Sequence, residues 1–451
     1  MTHLFVLFVL VLLQGVLLKG FPGAFSLTEV QLTLNFGFLL LAAYLLGEWT
    51  ARIRLPKLTG YIFAGILLGP DVMGYFSRES IASLRFIDEL ALMFIALSAG
   101  LELRVEDLRK EWRVLVGLTV AIPVVVFCLI FSFVYFAIPH LGPLPSLPAL
   151  QRILLAALLG TIAIARSPSS TLAVIKECRA RGRFSESVLC VTVVTDILVI
   201  MLFSFFFAVA IATDPKGADS AAVLWITVPA QILLSFFIGY LLAWFMSGYV
   251  RHIETDRIFF LLCVAFLVTR LSHTFSTYLA SVTDVSFHLE PLLICMSAGF
   301  FLENRFGKGW FYEEAIDRSF LPIFVVFFAL AGAGLDLQAL VSMWRWAVLY
   351  VIVRILGIFL ACHGVARILG APLKTGNLFG ISFITQAGVS IGLATMIPRR
   401  FPDGSEALFT LLLGAIVINQ IIGPIALKFA LEESGDAKRA GQRSAGKAVL
   451  S

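Results

Sequence analysis

Residues 186–213, ESVLCVTVVTDILVIMLFSFFFAVAIAT, form one long apolar run with a single carboxylate, Asp196, near its middle. About 20 apolar residues rising ~1.5 Å each span the hydrocarbon layer of a bilayer. Asp196 lies about ten residues in, hence ~15 Å deep. An aspartate there costs about 2.5–3.5 kcal/mol on insertion scales. No basic residue in the run can pair with it, because the nearest, Lys176 to Arg183, precede the run. Asp196 must therefore be protonated, bound to a cation, or paired with a charge from another helix. Each option points to ion or proton handling. A purely structural ion pair between helices is the competing reading.

The rest of the chain repeats the first lesson. Of 451 residues, 59% are hydrophobic and 14% charged, against about 25% charged in a soluble domain. Fourteen apolar runs are readable, at about 3–20, 30–49, 55–73, 83–103, 114–139, 152–175, 187–212, 223–248, 257–274, 288–303, 319–337, 341–366, 375–398 and 405–430. They leave no room for a sizeable soluble domain. Lys and Arg number 22 in the loops on the side of 50–57 and 8 on the other, which places 50–57 and the carboxyl terminus in the cytoplasm. The basic residues lie between spans rather than in one patch, which excludes a nucleic-acid partner. The six cysteines show no CxxC spacing and read as packing residues; neither a disulfide nor a cofactor is expected.

FIALSAGLEL at 94–103 returns as FFALAGAGLDL at 327–337, with one residue inserted. The copies lie seven spans apart, so they cross the membrane in opposite senses. Extending the register divides the chain into an extra amino-terminal helix (1–29), repeat one (30–212), a linker helix (213–256), repeat two (257–430) and a polar, disordered cytoplasmic tail (431–451). Inverted repeats mark secondary transporters, with the substrate site where the repeats meet. Ordinary small-residue packing surfaces would also give such a pattern.

The same register aligns two interrupted spans. LGTIAIARSPSSTLAVIKE, 159–177, carries Arg166, Ser167, Pro168, Ser169 and Ser170 at mid-membrane. Pro168 removes a backbone donor and disfavours helix at Ser167. GISFITQAGVSIGLA, 380–394, clusters Thr385, Gln386, Gly388 and Ser390. Broken spans at matching places point to a transporter's binding site. A further charge, Arg354, sits halfway along AVLYVIVRILGIFLA, 347–361, too deep to snorkel out. It needs a counter-charge or a set of carbonyls; Asp196 and the polar crossover around Gln386 are the candidates. Glu102, Asp336, Glu290, Arg270 and His273 fall near span ends, where solvation explains them.

LPKLTGYIFAGILLGP (55–70), the GLEL of the fourth span, ARSPSSTLAVIKE (165–177), VTVVTDILVI (191–200), Arg354 and TQAGVSIGLA (385–394) together resemble the monovalent cation:proton antiporter-2 family of the sodium/proton exchanger superfamily. The resemblance covers about 30–430. It implies an all-α polytopic membrane protein of the sodium/proton antiporter fold, with two inverted six-helix repeats and two crossed discontinuous helices. It also implies a homodimer with elevator-like movement of the core, in a bacterial inner membrane. Asp196 matches the family's ion-carrying aspartate, and Arg354 the position where electroneutral members tend to have arginine. Thr195 departs from the pattern, since electrogenic exchangers carry a second aspartate there. Only a short tail follows residue 430, so the dinucleotide-binding domain of Kef-type systems is expected to be missing.

The expected chemistry is exchange of one alkali cation (Na⁺, K⁺ or Li⁺) for one H⁺ at Asp196, whose oxygens can take either but not both. Thr195, Ser167, Ser169 and Ser170 are candidate further oxygen ligands. Arg354 and Arg166 compensate charge, and Pro168, Thr385, Gln386 and Gly388 shape the crossover. One titrating carboxylate predicts 1:1 electroneutral exchange. A channel or potassium efflux system on the same core is the rival. An intramembrane enzyme is disfavoured, since the spans hold no HExxH or GxSxG motif and His288 lacks a second histidine at ligand spacing.

Overall fold

A computed structural model describes residues 28–140, 148–212, 218–249, 257–283, 289–386, 389–401 and 405–437. The expected first span (3–20), His288, Gly388 and most of the tail lie outside them. No strand occurs among the described residues. Nine helices there are long and apolar enough to cross a membrane. The thirteen apolar runs read between 30 and 430 fall on helices. The chain divides into two units, Met1–Leu92 with Asp317–Leu337, and Met93–Ile316 with Gln338–Ser451.

In the first unit, α1 (Thr28–Arg52) and α2 (Lys57–Leu68) form a hairpin. Glycine makes their crossing possible: a Cβ on Gly60 would lie 2.5 Å from the Leu46 carbonyl oxygen. After α2, Asp71 Oδ2 accepts the Leu337 N–H at 2.9 Å, and Arg78, at the start of α3 (Arg78–Ser83), bridges Asp71 and Asp336. Burial explains none of this; these are polar ties at helix ends.

Two helices, α4 (Arg85–Glu102) and α13 (Gly309–Ala333), carry the repeated sequence pattern. Between them in the chain run α5 (Val105–Lys110), α6 (Trp112–Ala137), α7 (Ala149–Ile164), α8 (Pro168–Glu177), α9 (Arg183–Ala212), α10 (Ala218–Tyr249), α11 (Arg257–Thr283) and α12 (Pro291–Asn304). In the first unit α2 meets α13 backbone to backbone: a Cβ on Gly65 would fall 2.1 Å from the Ala329 oxygen, and one on Gly332 2.2 Å from the Ile62 oxygen. In the second unit α4 meets α12 the same way, at 2.0 Å from Gly100 to the Met296 oxygen and 2.2 Å from Gly299 to the Leu97 oxygen. Third span on eleventh and fourth on tenth is the reciprocal pairing that a seven-span inverted repeat requires. Close approach through small residues replaces the hydrophobic effect, which lipid does not supply.

The second unit continues with α14 (Leu337–Ile368), bent at Met343, then α15 (Leu373–Ser382), α16 (Val389–Ala394), α17 (Met396–Arg400) and α18 (Glu406–Ser434). Both interrupted spans are broken here. Between α7 and α8 the chain is extended at Ala165 and Ser167. Pro168 takes the first helical position, where its missing N–H is no loss, and Ser167 caps the helix by accepting the Ser170 N–H at 3.1 Å. Between α15 and α16, residues 383–386 leave the helical conformation.

Candidate functional site

Asp196 lies on α9 and is 8% exposed. Its Oδ1 accepts the backbone N–H of Arg166 at 3.3 Å, a donor freed by the first break. The next residue back, Thr195, is fully buried; its hydroxyl donates to the Val191 oxygen at 2.5 Å and accepts from Arg166 Nη1 at 3.1 Å. The Arg166 guanidinium lies over the Phe383 ring, 4.4 Å from its centroid, so one side chain touches both breaks. Its Nε and Nη2 have no hydrogen-bond partner among the described residues.

Arg354 does not pair with Asp196, the first of its two candidate partners. Its Nε donates to the Ala163 oxygen at 2.8 Å, Nη2 to Ala165 at 3.1 Å and Nη1 to Ile384 at 2.8 Å. The physical reason lies in the breaks. The end of α7 and the exit from α15 present carbonyls that no helical N–H can satisfy, and they are the negative poles of their helices. A permanently charged planar fork serves all three at once. Tyr350, one turn before Arg354, donates its hydroxyl to the Leu159 oxygen at 3.1 Å. Gln386 completes the tie: Nε2 donates to Ile162 at 3.0 Å, and Oε1 accepts from Asn419 Nδ2 at 2.8 Å.

The three serines read as cation ligands are engaged with one another. Ser167 Oγ lies 3.1 Å from Ser169 Oγ and donates to Ser170 Oγ at 2.9 Å. They form a capped helix start. Thr385 is 1% exposed at the second break, with its Oγ1 unpartnered. The structure thus brings Asp196, Thr195, Arg166, Arg354, Gln386 and Phe383 to one buried crossing.

Sequence reading passed over Asn419, Gln420 and Phe383. The amide pair was visible as the two polar residues inside GAIVINQIIGPIA, 414–426. Glu290, set aside as a helix-end charge, precedes α12, where its N–H donates to Ser235 Oγ at 3.3 Å. Two other end charges, for which solvation was the expectation, are ion-paired: Glu102 with Lys176, and Asp336 with Arg78. No group of three or more His, Cys, Asp or Glu side chains suited to a metal ion occurs among the described residues.

The profile described as sodium/hydrogen exchanger, transmembrane, matches residues 38–433. The chain is 21% identical over 421 residues to the Na⁺/H⁺-K⁺ antiporter GerN of Bacillus cereus, covering 91% of itself and 99% of that protein. It is 23% identical over 432 residues to the Na⁺/H⁺ antiporter NhaS5 of Synechocystis, covering 90% of itself and 56% of that protein. Two structures of the sodium proton antiporter MjNhaP1 from Methanocaldococcus jannaschii superimpose with TM-scores of 0.64 and 0.70, each at 17% identity. They cover 91% and 90% of this chain, and 98% and 96% of theirs. The fold is therefore the sodium/proton antiporter fold, and the protein is an integral, multi-pass membrane protein. By its matched length and by its two broken, crossing spans, the chain belongs to the sodium/hydrogen exchanger family.

Proposed function

We propose that this chain is a secondary antiporter that exchanges an alkali cation, Na⁺ or K⁺, for H⁺, with Asp196 as the group that carries each in turn. The observation that carries the reading is a buried carboxylate held by a backbone N–H at the crossing of two broken helices. The relatives named as Na⁺/H⁺ and Na⁺/H⁺-K⁺ antiporters support the substrate class. Proton and cation compete for the same oxygens, so a rise in proton concentration on one side displaces cation there and loads the carrier. Thr195 supplies a hydroxyl and no second charge beside Asp196, which favours 1:1 electroneutral exchange. Arg354 and Gln386 tie the two breaks together, which suits movement of the crossing as one body, as in an elevator. The reading includes a homodimer with its carboxyl terminus in the cytoplasm.

The test is dye-reported proton movement in proteoliposomes with an imposed pH gradient. Na⁺, K⁺, Li⁺ and choline are added in turn to wild type and to Asp196→Asn. An alkali cation should collapse the gradient in wild type alone, and its apparent KM should rise as pH falls. Normal exchange by Asp196→Asn would show that another group carries the ion. Cation uptake driven by membrane potential alone would refute electroneutrality.

A further inference from the structure

Four buried oxygens around the second break have no hydrogen-bond partner among the described residues: Thr385 Oγ1, Ser390 Oγ, Asn419 Oδ1 and Gln420 Oε1. Their residues are between 0% and 3% exposed. An unpartnered polar atom at such depth costs about 1–3 kcal/mol, so four of them on elements that pack together call for an occupant. The hydrogen-bond network fixes how Asn419 faces. Gln386 must turn its Nε2 to the Ile162 oxygen, so its Oε1 faces Asn419. Asn419 must then offer its Nδ2 there, which leaves its oxygen pointing elsewhere as a pure acceptor.

The elements that carry these oxygens pack together. α16, which carries Ser390, packs on α18, which carries Asn419 and Gln420. Gly423, one turn after Asn419, lets α18 ride against the break: a Cβ there would lie 2.6 Å from the Thr385 Cα. At the first break the serine hydroxyls bond one another, and the unpartnered atoms there are Thr171 Oγ1 and the donor nitrogens Nε and Nη2 of Arg166. An occupant must either donate hydrogen bonds or be a cation. In an exchanger, several neutral oxygens that replace hydration water suit an alkali cation in transit, because they bind it without a charge that would hold it.

We propose that Thr385, Ser390, Asn419 and Gln420 form a second, uncharged station for a partly dehydrated alkali cation, separate from Asp196. The proposal rests on the exchange reading for the identity of the ion. The test is thermal unfolding of the purified full-length protein in Na⁺, K⁺, Rb⁺ or choline, together with exchange kinetics. Asp196→Asn should lose exchange yet keep a cation-dependent rise in Tm. Adding Thr385→Val and Ser390→Ala, which are near-isosteric and fold-compatible, should remove that rise. With Asp196 intact, the same pair should raise the cation KM about three- to tenfold, as expected for one or two lost polar contacts. Loss of the Tm rise in Asp196→Asn alone would overturn the proposal, because Asp196 would then be the one station. A rise that survives in the triple variant would also overturn it. So would an unchanged KM with a higher Tm in Thr385→Val/Ser390→Ala, the signature of hydroxyls that hold only buried water. If wild type moves no protons but keeps the Tm rise, the exchange reading fails and the station stands.

Discussion

Replacing Arg354 tests whether the two helix breaks are held by one guanidinium. Arg354 is fully buried, and its three donor nitrogens serve carbonyls on both breaks at 2.8, 3.1 and 2.8 Å. Arg354→Met leaves those three carbonyls without a donor, at about 1–3 kcal/mol each. Removing a buried charge returns part of that, so the net loss should be about 3–5 kcal/mol of the summed carbonyl cost. This is a large share of a native stability of about 5–15 kcal/mol. Arg354→Lys should fall between, because one ammonium cannot reach three carbonyls that a planar fork spans. Intrinsic-fluorescence unfolding in detergent should show a fall in Tm of at least about 5 °C for Arg354→Met, and a smaller one for Arg354→Lys. Asp196→Asn serves as the control for a polar substitution at the same crossing. An Arg354→Met protein that melts with wild type would refute the tie, and with it the account of why a permanent charge sits so deep.

Three further outcomes follow from the geometry. Gly100→Ala and Gly332→Ala place a Cβ 2.0 and 2.2 Å from backbone oxygens that cannot yield, so each should cost about 2 kcal/mol or more; Gly364→Ala, with nothing within 4 Å, should be neutral or stabilising by about 0.4–1 kcal/mol, and equal melting of all three would contradict the close crossings. Asp436, which follows α18, accepts the Ser185 N–H at 2.9 Å and so caps α9 from the far end of the chain; Asp436→Ala should cost about 0.5–2 kcal/mol, and a Gly182→Ala change, whose Cβ would meet Asp436 Oδ1 at 2.3 Å, should be less harmful in its presence than alone, as a double-mutant cycle would read. Thr195→Asp sets a second carboxylate where the hydroxyl now takes Arg166 Nη1 at 3.1 Å; current recorded on a supported membrane should appear in this variant and not in wild type, and current in both would end the electroneutral reading.

The spans were legible because each depends only on its own residues. Twenty apolar side chains announce a crossing whatever lies beside them, and Ser167 with Pro168 announces a helix start by local backbone chemistry. The recurrence of FIALSAGLEL as FFALAGAGLDL reads as an inverted repeat, and its Gly100 and Gly332 also sit at close crossings, against the helices of Gly299 and Gly65. That the three serines, named as candidate cation ligands, bond one another at a capped helix start was not readable from the sequence. Asn419 was readable only as a polar residue in an apolar span. Its meaning depends on Gln386, which lies 33 positions away.

Sequence alone determined that this is a polytopic membrane protein with a buried carboxylate at Asp196, two broken spans and a charge at Arg354 that must be answered from elsewhere. Hydropathy, helix rise and the missing N–H of proline are properties of short stretches, so they survive without knowledge of the fold. Tertiary structure alone decided how those charges are answered. Arg354 could have met Asp196 or carbonyls. It met carbonyls because two helix ends, 191 and 30 positions from Arg354 along the chain, deliver unsatisfied oxygens to the same point. That left the backbone N–H of Arg166, and no guanidinium, on the oxygen of Asp196. Which groups share a low-dielectric site is set by packing, and packing is not written in any one span.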